Sequence, residues 1–348
     1  VGSEMCIRDS PITNTLKIKR FRQYGFYQEM WGGGIYADNV VKALSANLSK
    51  EELANKRLVN SITNDLVKCY LTFAATPEEY FAFEFRNKSH KERKKYLTNM
   101  NKDKILIDKI GWSKIMRLRD KQETYRLLHE FFMRDVCFVD SESDRNRYLE
   151  FVGKHKKYFV KPIDGMCGKG AAIIEGDKFD ELLSQGRWIA EELVEQTAEM
   201  AQFNSSSINT VRLPTFFKDG KFTILAPFFR TGRKGSIVDN GGAGGIFAAL
   251  DSTTGKIISD GHSELNEIYI KHPDTEISFN GFVIPHWNDL LEKAHQAHAK
   301  LSDQRYIAWD FALTPQGWKL IEANSMGQFL WQYATKTGVR EAFLKLMN

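Results

Sequence analysis

Three short stretches carry residue types whose spacing can do chemistry. In FVKPIDGMCGKG, residues 159–170, Lys161 leaves an apolar strand and Gly165, Gly168 and Gly170 follow. Glycines let backbone N–H groups converge on an anion, and the lysine adds a point charge. The stretch matches neither Gly-x-x-x-x-Gly-Lys-Ser/Thr nor Gly-x-Gly-x-x-Gly, so both of those phosphate loops are excluded. Alone it reads as a loop for a nucleotide phosphate or as a tight hairpin turn. In YIAWDFALTPQGWKLIEANS, residues 306–325, Asp310, Glu322 and Asn324 interrupt two apolar strands. A loop of residues 315–317 with Gly317 left-handed sets Asp310 opposite Glu322, with Asn324 on the same face; these oxygen donors suit magnesium. A loop one residue shorter turns Asp310 to the other face, and the sequence leaves both open. In WIAEELVEQ, residues 188–196, an apolar run enters Glu191, Glu192 and Leu193. That fits a strand whose backbone edge meets an adenine base, with Glu199 in reach of a ribose hydroxyl. It equally fits a strand that ends in solvated glutamates.

The elements that must position these stretches have two textures. Residues 11–120 read as mostly helical. Residues 38–60 carry an apolar stripe of Val40, Val41, Leu44, Leu48, Leu53 and Leu58, and residues 111–132 form another helical stretch. TPEE, residues 76–79, supplies an N-cap threonine, a proline at the first helical position and a glutamate at N3. After residue 150, β-branched and aromatic runs alternate with glycine turns. TVRLPTFF and KFTILAPFF flank Lys218-Asp219-Gly220, a hairpin signal, and FTILAPFF, residues 222–229, has the length of one buried strand. Residues 230–285 have the glycine- and aspartate-rich composition of loops. WNDLLEKAHQAHAKL reads as a short helix and residues 329–348 as a closing amphipathic helix. The fold class is α+β, with antiparallel sheet in the second half.

The 348 residues are 42% hydrophobic and 27% charged, enough apolar material for two or three cores. No apolar run approaches the roughly 20 residues that span a bilayer, and no signal-peptide pattern opens the chain. The opening VGSEMCIRDS resembles a translated linker and is set aside. A net charge of +5 is small, and the basic stretch KSHKERKK, residues 88–95, is broken by Glu92. A solvated helix face accounts for it better than nucleic acid or an anionic membrane. Cys6, Cys69, Cys137 and Cys167 show no CxxC pairing, as expected of reduced thiols in a cytoplasmic protein. The histidines show no metal-ligand spacing. His262 and His272 lie where loop residues can touch substrate.

In this order the pieces resemble the ATP-grasp superfamily, and in detail its sugar-transfer-associated branch. FVKPIDGMCGKG, NTVRLPTFF, VDNGGAGG, HPDTEISFNGFVIPHW and the DFALT…LIEAN hairpin carry the resemblance. It implies an ATP-grasp fold in which two α+β subdomains clamp ATP, preceded by a mostly helical N-terminal region. The expected divisions are 1–10, a non-native leader; 11–120, helical; 121–190, the lid subdomain with its leading helix; and 191–348, the catalytic subdomain. By resemblance Lys161 and Lys121 contact the ATP phosphates, Gly165 to Gly170 form a mobile loop, and Glu191 to Leu193 are the adenine hinge. Asp310, Glu322 and Asn324 match the magnesium ligands. Arg212 borders the transferred phosphoryl group, Arg230 and Arg233 are further candidates for an anionic substrate, and Asp239 and Asn240 belong to a substrate loop. The chain departs from the family where Glu322-Ala323-Asn324 runs into Ser325-Met326 rather than Pro-Arg, so Arg212 or Arg233 has to replace that arginine. The helical first third also differs from the usual precursor domain.

The function so implied is an ATP-dependent carboxylate–amine ligase that works through an acyl phosphate, releases ADP and serves surface-polysaccharide or sugar-conjugate biosynthesis. Its cofactors are ATP and Mg2+, and its partners are carboxylate and amine substrates and a glycosyltransferase. Two rivals stand beside it: an ATP-grasp kinase for a sugar or polyol hydroxyl, and a weakly catalytic nucleotide-binding partner of a glycosyltransferase.

Overall fold

The computed structural model describes residues 36–163, 170–239, 241 and 244–348. Contacts divide the chain into two compact units. The described residues through Ile105, with 264–267 and 336–343, form one; residues 106–263, 268–335 and 344–348 form the other. Gly165, Cys167, Gly168, Lys169 and Asn240 lie outside the described residues, as does the leader.

The first unit is helical, and its sequence punctuates the helices clearly. Ser49–Glu52, Thr76–Glu79 and Ser89–Glu92 each form a reciprocal capping box, and Pro77 opens its helix as expected. The longest helix, Lys56–Phe73, buries Val59, Ile62, Leu66, Val67 and Tyr70 at helical spacing and ends in a left-handed Ala74. Tyr80, Phe83, Phe85 and Tyr96 pack edge to face and tilted around one another. The basic stretch is part of this structure. Arg93 turns inward, donates from Nε to the Phe85 and Lys88 carbonyls, and forks onto Asp65 at 2.8 and 2.7 Å. The closing segment is two short helices, Trp331–Thr335 and Arg340–Met347, and not one. Lys336 is left-handed between them, and Gly338 lies so close to Lys95 that a Cβ there would sit 2.2 Å from its carbonyl oxygen.

The second unit holds two antiparallel sheets. The smaller contains β1 (Val136–Val139), β2 (Lys157–Pro162), β3 (Ala172–Glu175) and β4 (Trp188–Glu192) in the order β1-β4-β2-β3. Strand alternation sorts its side chains. Cys137, Val139, Tyr158, Val160, Trp188 and Ala190 pack on Tyr148, Phe151, Phe179 and Leu182 of two covering helices. Phe159, Lys161, Ile173 and Glu191 point the other way, into a cavity.

The larger sheet contains β5 (Thr210–Lys218), β6 (Lys221–Ile224), β7 (Phe228–Thr231), β8 (Ile246–Ala249), β9 (Gly261–His262), β10 (Ile268–Tyr269), β11 (Tyr306–Thr314) and β12 (Gly317–Asn324). Their order is β10-β9-β8-β7-β5-β11-β12, with β6 beside β5. The Asp219-Gly220 turn is the expected hairpin, with positive φ at both residues. FTILAPFF is two strands, because left-handed Ala226 and then Pro227 break the ladder. Residues 230–285 are not only loop: Ile246–Ala249 is a fully buried strand. Val211, Leu213, Phe229, Trp309, Phe311 and Leu320 form the core face with helices Lys121–Phe132 and Trp287–Ala299. Burying each such side chain contributes about 1.5–3 kcal/mol before entropy is counted.

The last hairpin differs in detail from the expected one. Gly317 has φ +101, yet the strands pair from Thr314–Gly317, leaving the two-residue loop Pro315-Gln316. A bulge between Asp310 and Phe311 then makes Ile321 an extra residue, so Asp310 pairs with Glu322 after all. Leu320 faces the core, and unbroken alternation would send Glu322 there too. The bulge turns it to the cavity.

Candidate functional site

A cavity of about 590 Å³ in the second unit is lined from both of its sheets. That volume suits a ligand the size of a nucleotide. From the smaller sheet come Lys161, Glu191 and the chain Glu192–Gln196; from the larger come Thr210, Arg230, Asp310 and Glu322.

At one end, Lys161 Nζ and Arg134 NH2 each lie 3.2 Å from Glu191 Oε1. Burial acts to raise the Glu191 carboxyl, but Arg134 and Lys161 prevail and hold it below the usual range. Lys121, in the first turn of its helix behind the N-cap Asp120, donates to the Ile163 carbonyl at 2.7 Å and also lines the cavity. Beyond β4, Leu193, Val194 and Glu195 make no backbone–backbone hydrogen bond among the described residues. Their amide groups therefore offer donors and acceptors to a planar heterocycle. Gln196 anchors this segment, donating to the Asn204 and Ser207 carbonyls and accepting from the Asn209 amide.

At the other end, one row crosses the larger sheet: Arg212 pairs with Asp310, and Asp310 with Glu322. Arg212 forks onto both Asp310 oxygens, its NH2 at 2.7 Å from Oδ2. Arg230 NH1 reaches the same Oδ2 at 3.2 Å, and its NH2 reaches Asp239 Oδ1 at 2.8 Å. Thr210 Oγ1 donates to the second Asp239 oxygen. Burial raises Asp310, yet Arg212 and Arg230 hold it low; for Asp239, burial wins over Arg230 and its carboxyl is pushed up. Asn324 Nδ2 lies 3.4 Å from both Asp310 Oδ2 and Glu322 Oε2, so the three side chains converge. Half-buried Glu322 makes no ion pair among the described residues. Two carboxylates and an amide, one carboxylate outside any ion pair among the described residues, fit a hard divalent cation such as magnesium.

Other residues read from the sequence sit elsewhere. Arg233 is forked onto Asp274 on a partly exposed loop and does not line the cavity. Glu199 is exposed in the first turn of helix Ala198–Ala201, also off the cavity lining. Gly170 has φ +77 and lies against Pro162. His272 is fully buried, its Nε2 2.9 Å from the Gly232 carbonyl. Cys69 and Cys137 are buried free thiols, in no disulfide. Asp135, His155 and Glu192 lie close enough to share an ion, but on a largely exposed edge. Arg134 and Ser205–Ser207 line the cavity and were not legible in the sequence. Arg134 precedes a short strand as any solvated turn residue does, and its partners Glu191 and Ile321 are remote in the chain.

Residues 180–347 match the family model described as Sugar-transfer associated ATP-grasp. No curated protein matches the chain. Among solved structures, the VanG D-Ala:D-Ser ligase from Enterococcus faecalis is similar at 11% identity and a TM-score of 0.42, covering 67% of this chain and 62% of that one. A RiPP-associated ATP-grasp ligase from Chryseobacterium gregarium, solved with ADP and a leader and core peptide, is similar at 14% identity and a TM-score of 0.41, covering 68% and 61%. The D-alanyl-alanine synthetase A of Vibrio cholerae gives 12%, 0.41, 66% and 64% in the same order. The protein thus spans less than two thirds of each of these chains. Among the described residues no helix is long and apolar enough to cross a membrane.

Proposed function

We propose, from a chain whose residues 180–347 match the sugar-transfer-associated ATP-grasp family model, that the protein is an ATP-dependent carboxylate–amine ligase. One observation carries the reading: a single cavity brings Lys121, Lys161 and the open backbone of Leu193–Glu195 to face Arg230, Asp310 and Glu322. The first set suits an adenine ring and a polyphosphate; the second suits a metal ion and the group that attacks the phosphate.

Lys121 and Lys161 would neutralise the phosphate chain, and Leu193–Glu195 would hold the base. Asp310, Glu322 and Asn324 would hold Mg2+, which supplies charge neutralisation for phosphoryl transfer when bound. Arg230, and Arg212 behind it, would orient the substrate carboxylate in line with the γ-phosphorus. Carboxylate oxygen attacks phosphorus, the bond to the β-phosphate breaks and ADP leaves, giving an acyl phosphate. An amine nitrogen then attacks the acyl carbon, the carbon–oxygen bond to phosphate breaks, and the amine gives up a proton as the amide forms. Arg230, paired with Asp310 and Asp239, would take the role of the arginine absent after Asn324 in preference to Arg233, which is tied to Asp274. Lys161 and Arg212 are the other residues of this chemistry. A sugar-linked substrate and a cytoplasmic setting complete the reading.

The test is calorimetric titration of MgATP into the wild type, Lys161→Ala and Glu322→Gln. Magnesium-dependent binding that weakens at least about tenfold in both variants is expected. A folded wild type that binds no nucleotide overturns the reading. ADP release with an amide product then marks the ligase, and a phosphoester marks the kinase.

A further inference from the structure

Arg134 lines this cavity and is not among the residues read from the sequence. It leaves a left-handed Met133 just before β1, and its side chain is 1% exposed. NH2 pairs with Glu191 at 3.2 Å; NH1 donates to the Leu320 carbonyl at 2.5 Å, and NH2 reaches the Ile321 carbonyl at 3.4 Å. Its guanidinium also stacks over the Phe132 ring at 4.9 Å. The two carbonyls belong to the bulge that turns Glu322 to the cavity, and Glu191 is the carboxylate on which Lys161 rests. One planar cation therefore ties the lysine end of the cavity, on the smaller sheet, to the carboxylate end, on the larger.

We propose that Arg134 is a positioning residue that sets the metal-binding geometry of Glu322 by gripping the β12 bulge, and that it keeps Glu191 charged when Lys161 is drawn away. The inference rests on the nucleotide-site reading above. A bulge residue lacks a ladder partner, so its carbonyl needs a donor from outside the sheet. Arg134 supplies one and holds the neighbouring carbonyl as well. A buried carboxylate stripped of its cations is costly, so a phosphate chain could take Lys161 from Glu191 only if a second cation remains. Arg134 touches neither the metal nor the phosphates in this role; it acts through Glu322 and Glu191.

The experiment compares wild type, Arg134→Met and Arg134→Lys in nucleotide titrations with and without Mg2+, together with the Mg2+ concentration that half-restores ATP binding. In Arg134→Met the magnesium-dependent gain in affinity should fall about 10- to 100-fold and the half-restoring Mg2+ concentration should rise. Arg134→Lys, which keeps the charge but cannot fork onto two carbonyls, should lie between the two. Should Arg134→Met fail to fold, the lysine variant carries the same comparison. A folded variant with the wild-type magnesium midpoint overturns the inference and leaves the nucleotide reading standing. A wild type that binds no nucleotide removes both.

Discussion

Asp310 is the most heavily engaged carboxylate of the cavity. It is 3% exposed, and Arg212 and Arg230 both hold it. Its contribution to folding therefore differs from that of its neighbour Glu322, which makes no ion pair among the described residues, although Arg212 feels its charge. Asp310→Asn leaves two buried guanidiniums facing a neutral amide and should cost about 3–5 kcal/mol. Glu322→Gln should cost less than about 1 kcal/mol, because no buried pair is broken. Urea unfolding of the two variants, followed by fluorescence of the buried Trp309 and Trp318, checks the contrast. Equal losses would mean that the arginines find other partners when Asp310 is neutral.

At the scale of elements, the clearest sequence signals were local ones. Thr76-Pro77-Glu79 and Asp219-Gly220 fix their own backbone, and both fold as their chemistry dictates. The Asp310–Glu322 pairing was one of two registers the hairpin sequence left open. A short loop and a compensating bulge produce it, and the pull of Leu320 and Phe311 into the core explains why. What could not be read depends on distant contacts. Left-handed Lys336 ends the first closing helix, and Lys95 fills the space a side chain at Gly338 would need; nothing near Gly338 in the sequence says so. Gly338→Ala should overpack this contact and cost about 1–3 kcal/mol, loosening the Arg340 N–H bond to the Lys95 carbonyl. Hydrogen exchange at the Arg340 amide should speed up if so, and unchanged protection there would refute it.

For the whole molecule, the two units carry buried titratable groups of opposite sign. In the helical unit, burial pushes Glu79 from 4.5 to about 7, despite the Thr76 and Asn99 amides that it accepts. The folded state then holds the proton more tightly than the unfolded chain. The resulting stability is complete below about pH 4.5 and is lost as pH rises through about 7. In the sheet unit, burial pushes His298 from 6.5 down to about 4, although the Gln304 carbonyl pulls the other way. Its neutral ring, bonded to Thr215, contributes stability above about pH 6.5 that is lost as pH falls through about 4. Calorimetric melting between pH 4 and 8 should show the helical unit melting earlier as pH rises and the sheet unit earlier as pH falls. Glu79→Gln and His298→Gln should each flatten one of these trends, and parallel shifts of both units would contradict the assignment.

The double clamp on Asp310 has one more consequence if the cavity holds MgATP. A dication that arrives alone meets two guanidiniums already neutralising one of the carboxylates it needs, so free magnesium is a weak visitor. The same ion escorted by a polyphosphate brings negative charge for those guanidiniums to turn toward. The cavity then behaves as a coincidence detector, answering to ion and nucleotide together and staying silent to either alone.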